Sequence, residues 1–407
     1  MNPDQKKILF LTSNNLACNP RCLKEVRLAN AIEVKVTVVA FNLHNWTDEK
    51  EKDLNTELGK VEFHYLDAGR KPFFRWLYGS LLERLSRALP PLLRRNTYLA
   101  ALALNKRSYL LYQWIKRNHA RYDLIIAHNP PAFYAAAALA KRTTTPFALD
   151  IEDFHPGEGD NKIVRDCSGY LMRRFLKETA YSSFASPLIK KYSEALTNEA
   201  GSDRLLVIDN TFLASEFSSA PEAPAGEKLQ IVWFSQFIDY ERGLEKVLPS
   251  LDRFRDQVAL TLIGSPREGF FDKEIRNREY ISCPGPLSQA DLHRSLGAFD
   301  IGLALEDGTV DLNRNLCLTN KIWSYYLAGL YIVATETEAQ RLFLQDRPRH
   351  GICTSLSGEL FAATIAALLA QKESVCAGRK ERQSAASKEG WERESILLEK
   401  KWTEVLR

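Results

Sequence analysis

Short apolar runs alternate along this chain with longer stretches whose apolar positions recur at helical spacing. Ile8–Thr12, Val34–Phe41, Val61–Tyr65, Leu124–Ala127, Phe147–Ile151 and Leu205–Asp209 read as strands. Most are continuously apolar, which suits strands covered on both faces. Between them Arg21–Ala31, Leu99–Arg117, Ala132–Lys141, Val164–Glu178 and Pro187–Leu196 carry helical patterns. Strand–helix alternation predicts βαβ units and a parallel sheet. The pattern stops at Leu213–Lys228, LASEFSSAPEAPAGEK, which has a linker's composition. It then restarts, with strands at Gln230–Phe234, Ala259–Ile263, Ile301–Leu305 and Tyr331–Ala334, and helices at Gly243–Phe254, Gln289–Gly297, Lys321–Ala328 and Gly358–Leu369.

The expected fold class is therefore α/β, with two doubly wound, Rossmann-like domains in tandem. Residues 1–212 form the first, 213–228 the linker and 229–386 the second. The segment 387–407, with Trp391, Ile396, Leu397, Leu398 and Trp402 among charges, reads as a helix that crosses back to brace the first domain. Ligands in such domains bind at the carboxyl ends of the strands, near the switch point. Two such domains facing each other are expected to form a cleft with a hinge.

Composition narrows the picture. A length of 407 residues fits two or three domains, and 45% hydrophobic residues suffice for sizeable cores. The net charge of +4 is modest. No dense basic stripe interleaved with aromatics stands out, so nucleic acid is not an expected partner. The seven cysteines are widely spread, and Cys18 and Cys22 lack a zinc-knuckle spacing, so reduced thiols and no metal are expected. The apolar stretch near the N-terminus is too short for a signal peptide. No run of 18 apolar residues occurs. The expected location is cytoplasmic, at the inner face of the plasma membrane. That last element rests on Lys71–Arg95, where Phe73, Phe74, Trp76, Tyr78, Leu81 and Leu82 mix with arginines before Pro90-Pro91. Such a segment either lies in a membrane interface or packs on its own domain with solvated arginines.

Candidate chemistry gathers at predicted strand ends. In TNKIWSYYLAGLYIVAT, Thr319 or Asn320 can cap a helix that Gly329 ends. Lys321 then falls in the first turn, where a cation is unfavourable unless an anion joins it. The alternative is an ordinary capped helix with a solvated lysine. After the strand ending at Phe234 comes Ser235-Gln236 and a polar loop to Arg242-Gly243, whose guanidinium suits a diphosphate. Gly264 makes a tight turn, Cys283-Pro284-Gly285-Pro286 offers a rigid backbone edge, and Glu306-Asp307 follows another strand. In the first domain His128-Asn129 ends one strand, and Glu152, Asp153, His155 and Glu158 follow the next. These suit hydrogen bonding to a substrate hydroxyl or proton transfer.

The segments IVWFSQFIDYERGLEKVL, LTLIGSP, ISCPGPLSQADLHRSLGAFDIGLAL and LTNKIWSYYLAGLYIVAT, with YDLIIAHNPPAFYAAAALAKR, PFALDIEDFHPGE and LLVIDNTF, resemble GT-B glycosyltransferases of the family-4 type. The resemblance covers nearly the whole chain. It implies a second domain that binds a nucleotide-diphosphate sugar and a first domain that binds a glycan or lipid-linked acceptor. Arg242-Gly243 matches the family's lysine–glycine pair, and Asn320-Lys321 its helix start. Ser235-Gln236 stands where glycine–arginine is usual. Ser324 and Leu316 stand where the paired glutamates fall; Glu306, Asp307, Asp311 or Asn315 could compensate. The resemblance further implies retention of configuration in cell-surface polysaccharide synthesis. No Asp-x-Asp occurs in a strand-end loop, which agrees with metal independence; no cofactor is expected beyond the donor substrate. The alternatives are a degenerate GT-B-like scaffold subunit, favoured by Gln236, Leu316 and Ser324, and a sugar-nucleotide epimerase.

Overall fold

A computed structural model describes residues 5–32, 34–45, 47–70, 72–199, 201–219 and 227–407. The chain forms two compact units, Met1–Asp209 with Ser395–Arg407, and Asn210–Glu394.

The first unit is built on seven parallel strands: β1 Lys7–Thr12, β2 Lys35–Asn42, β3 Glu62–Asp67, β4 Leu124–His128, β5 Phe147–Ile151, β6 Tyr181–Phe184 and β7 Leu205–Val207. Their order is β3-β2-β1-β4-β5-β6-β7. Ile8, Phe10, Val38, Ile126 and Ala148 are buried, as strands with two covered faces require. Strand β6 was not anticipated from the sequence. Its Ser182 and Ser183 are buried with their hydroxyls bonded, which an apolar pattern does not reveal.

The expected helix Leu99–Arg117 is two helices, Thr97–Leu104 and Lys106–Arg117. Asn105 breaks it by taking an extended conformation (φ −163°), and its side chain caps the second helix at Arg107 N. The helix Pro20–Ala31 is fixed in the same way, by Asn19 accepting from Cys22 N with Pro20 in the first turn.

The second unit carries β8 Leu229–Ile238, β9 Val258–Pro266, β10 Ile281–Gly285, β11 Ile301–Ala304, β12 Tyr331–Thr335 and β13 Gly351–Thr354, in the order β10-β9-β8-β11-β12-β13. Both sheets thus turn back beside their first strand, between β1 and β4 and between β8 and β11. Those two places are the switch points. One face of the second sheet packs Trp233, Leu248, Leu262 and Ile365; the other packs Val232, Trp323, Tyr325 and Phe343. The segment read as a linker starts inside this unit: Phe212 and Phe217 are buried in its core, and Ala214–Glu216 is one 3₁₀ turn. Residues 220–226 of it lie outside the described residues.

The last helix, Trp391–Val405, starts in the second unit and ends in the first. There Leu398 and Trp402 are fully buried, Trp402 lies edge-on to Phe10, and its indole N–H donates to the Tyr181 hydroxyl at 2.7 Å. Among the described residues no single helix is long and apolar enough to cross a membrane.

Candidate functional site

The carboxyl edge of the second sheet brings together residues far apart in sequence. The helix Asn320–Leu327 starts there with Thr319 as its cap residue. Thr319 takes the extended cap conformation, but its hydroxyl makes no capping bond and is buried without a hydrogen-bond partner among the described residues. Asn320 is exposed, and its side-chain Oδ1 accepts a long bond from Asn210 Nδ2 at 3.4 Å. Lys321 is not solvated: its ammonium lies 2.9 Å from Glu306 Oε1, each side chain only 10% exposed, and 5.7 Å from the Trp233 ring centroid. The anion that the first-turn lysine demanded is thus, in part, this chain's own carboxylate. Glu306 is held by Thr335, whose hydroxyl accepts from Glu306 N and donates to Glu306 O.

Three stretches expected as strand-end turns, Ser235-Gln236, Gly264 and Cys283–Gly285, lie within strands. Strand β8 continues through Ser235-Gln236 to Ile238, with a bulge between Phe234 and Phe237. These two residues therefore belong to a strand, not to a loop. The bulge pushes Ser235 O against β9. A Cβ at Gly264 (φ 150°) would lie 2.0 Å from it, so only glycine fits. Arg242 is exposed in the turn that follows, where Glu241 and Gly243 both take positive φ. The helix that follows, Leu244–Leu251, is tied to the loop after β11 by Lys246, which pairs with Asp307 at 2.7 Å; this bond holds the Asp307 carboxyl down at about 2. Cys283 is half-buried against the core and its thiol is pushed up by burial, while Gly285 (φ 95°) faces open space.

Ser324 faces the core. It is 1% exposed, with Oγ 3.3 Å from His293 Nε2. His293 is itself wedged between Phe212 and Phe217 and bonded to Glu216 at 2.8 Å. Leu316 is fully buried. The helix turns this position into the core.

In the first unit, His128 is likewise not a free base. Strand β4 runs one residue further than expected, so His128 pairs in the ladder between Thr12 and Asp150. Its ring is 1% exposed, Nε2 lying 3.3 Å from Glu25 and Nδ1 3.2 Å from Asp150. Arg21 donates to both Asp150 oxygens, at 2.7 and 2.8 Å, and to Ile208 O at 2.6 Å; Ser183 adds a bond of 2.6 Å. Burial by itself would raise the Asp150 pKa, but Arg21 and His128 hold it well below the ordinary carboxylate range. Burial would lower His128, yet Cys22, Glu25 and Asp150 hold it well above its ordinary value. Burial raises Glu25. Glu25, His128 and Asp150 could place three ligand atoms within 4.8 Å of one another. A dication there would have to displace a guanidinium already bonded to Asp150, so the donor set fits an ion network better than a metal centre. Sequence reading missed Arg21 and Glu25; charged residues on a helix's buried face were the only local signal.

The acidic cluster is assembled as expected in position, though unevenly in exposure. Glu152 and Asp153 follow β5 directly and are half-buried. Burial and then the charges of Asp153 and Asp150 push Glu152 up to about 7. His155 Nδ1 lies 2.7 Å from the exposed Glu158 carboxylate, while its Nε2 is buried without a hydrogen-bond partner among the described residues. Burial would lower His155, but the Glu158 bond and the nearby acids raise it. Close by, the switch point is lined by Thr12, which donates to Asn129 Oδ1 at 3.2 Å, and by Arg107, which holds Ser13 O at 2.6 Å.

No protein-family model and no curated protein matches the chain. Solved structures do. HepE from Anabaena in complex with UDP is 16% identical and superposes with a TM-score of 0.64, over 98% of this chain and 100% of that one. Sucrose-phosphate synthase from Thermosynechococcus elongatus is 12% identical, with a TM-score of 0.68 over 98% and 99%. TarM is 11% identical, with a TM-score of 0.62 over the full length of both.

Proposed function

We propose, from the GT-B fold that the two tandem Rossmann-like units constitute, that the chain is a glycosyltransferase. It takes a hexosyl or N-acetylhexosaminyl group from a nucleotide-diphosphate sugar bound by the second unit, and passes it to a glycan or lipid-linked acceptor bound by the first. The proposed setting is cytoplasmic cell-surface polysaccharide synthesis. The observation that carries the reading is the start of the helix Asn320–Leu327, with no capping side chain and an oriented ammonium beside it, on a fold shared end to end with a UDP-bound protein. A diphosphate at this helix start meets the positive end of the helix dipole and Lys321.

In the proposed reaction, negative charge grows on the departing phosphate as the sugar becomes oxocarbenium-like. Lys321, pre-oriented by Glu306, and Arg242 stabilise that charge without calling on a metal, and the configuration is retained. In the first unit His155, oriented by Glu158, serves the acceptor hydroxyl. A second reading, a donor-binding subunit without turnover, is favoured by Leu316 and Ser324 being buried where acidic side chains were expected.

A thermal-shift screen against UDP-, GDP-, ADP- and dTDP-sugars tests the donor claim. One nucleotide should add about 2.7 kcal/mol at a hundredfold excess over Kd. Absence of stabilisation by all four removes the proposal. Stabilisation without transfer or donor hydrolysis selects the second reading.

A further inference from the structure

The helix Phe73–Ala88 is turned inside out relative to an ordinary surface helix. It buries Gly79 and Ser86 and exposes Phe73, Phe74, Leu77, Tyr78, Leu81 and Leu85, with Phe74 at 82% and Leu85 at 55%. A Cβ at Gly79 would sit 3.4 Å from Lys106 Cβ, so the small residue sets the contact with the helix Lys106–Arg117. At about 100° per residue, the exposed apolar side chains form one stripe roughly 140° wide. Arg84 falls just inside one edge, between Phe73 and Leu77 in angle, and Arg75 lies beyond the other edge, both exposed. Leu92 and Leu93, exposed beyond Pro90-Pro91, follow the helix in the chain. Trp76, expected among the exposed aromatics, lies on the other face and is half-buried, with Arg70 and Lys106 against its ring. Lys71 lies outside the described residues.

We infer that this helix docks in the plane of an anionic bilayer surface, its apolar stripe among the acyl chains and its arginines at the headgroup phosphates. An apolar face of this size needs an occupant, and charge decides which. Glu83 is the helix's one carboxylate; it faces the body, paired with Arg87 at 2.8 Å and accepting from Lys106 N. The exposed face therefore presents cations and no anion. A second copy would set arginine against arginine, whereas anionic headgroups complement both borders. The inference is independent of the sugar-transfer reading.

The test is co-sedimentation of the full chain with phosphatidylcholine vesicles, with and without phosphatidylglycerol, at low and moderate salt. Binding should favour the anionic vesicles and weaken with salt. The triple variant Phe73→Ser/Phe74→Ser/Leu81→Ser should lose binding to both while melting as the wild type does. Arg75→Gln/Arg84→Gln should weaken partition to anionic vesicles about 30-fold, for about 1 kcal/mol per basic residue. Amide exchange over residues 73–88 of the wild type, slowed by anionic vesicles, gives a readout that needs no variant. Equal binding by wild type and triple variant, or no protection of residues 73–88, overturns the inference. So does a vesicle-independent dimer that the triple variant abolishes.

Discussion

The pair Lys321–Glu306 yields a prediction whose sign separates a ligand site from a structural ion pair. Consider Glu306→Gln and Lys321→Ala. Both partners are about nine-tenths buried and 2.9 Å apart, so breaking the pair from either side strands a charge. Each variant should lose roughly 3 kcal/mol of folding stability, the low end for a broken buried pair. Nucleotide affinity should move in opposite directions. Lys321→Ala removes a charge-assisted bond to the diphosphate and should weaken binding by about 1.5–3 kcal/mol. Glu306→Gln removes a negative charge that lies one ammonium away from the ligand. At a separation of about 6 Å and an effective dielectric of about 20, that repulsion is worth between 2 and 3 kcal/mol, so affinity should rise at least tenfold. The assay is calorimetric titration with the nucleoside diphosphate that the thermal screen selects, at a temperature where both variants remain folded, with melts run alongside. If both variants lose stability and neither changes affinity, Lys321 is a structural partner and the diphosphate site lies elsewhere. If Glu306→Gln weakens binding, the carboxylate itself contacts the ligand and the electrostatic reasoning fails.

Further expectations concern the first unit and the β8 bulge. Asp150→Asn should cost about 3–5 kcal/mol in denaturant melts; because the Asp150 pKa is depressed, its contribution is complete above the unfolded value near 4 and declines progressively below it until pH reaches the much lower folded value, so the gap to wild type should persist at pH 5. Glu152, pushed up to about 7, destabilises progressively as pH rises from about 4 to 7, so Glu152→Gln should raise Tm relative to wild type at pH 8 and leave it unchanged near pH 4; the reverse order contradicts the assignment. His155→Ala and Glu158→Gln should leave donor affinity intact while transfer falls tenfold or more; loss of donor binding instead would move this cluster to the donor site. Gly264→Ala should destabilise by more than about 2 kcal/mol, since a Cβ 2.0 Å from Ser235 O forces the bulge apart; a melt within about 0.5 kcal/mol of wild type would contradict the register.

The fold was largely legible because doubly covered parallel strands print themselves as continuous apolar runs. It failed where a strand's burial is polar. Strand β6 hides its serines by bonding Ser183 to Asp150 and Ser182 to Thr179, and neither bond has a local signature. The position of the helix Asn320–Leu327 was readable from Thr319, Lys321 and Gly329. The partner of Lys321 was not, because Glu306 sits on another strand's end, fifteen residues earlier. Arg21 and Asp150 are separated by 129 residues, so the network that absorbs His128 exists only after the sheet has brought β4, β5 and the helix Pro20–Ala31 together. Ser324 shows the converse limit: alignment to a motif gives a position, whereas burial on His293 decides what that position can touch.

The helix Trp391–Val405 makes the first unit discontinuous in sequence: its last piece, Ser395–Arg407, follows the entire second unit. During vectorial synthesis the β1–β7 sheet emerges with the Trp402 place beside Phe10 and Tyr181 still vacant. At about 5–20 residues per second, roughly 10–40 s pass before that tryptophan is made. Until then the unit that emerges first is left unfinished, while the second, contiguous from Asn210 to Glu394, can close on its own. Order of synthesis and order of completion are therefore reversed in this chain.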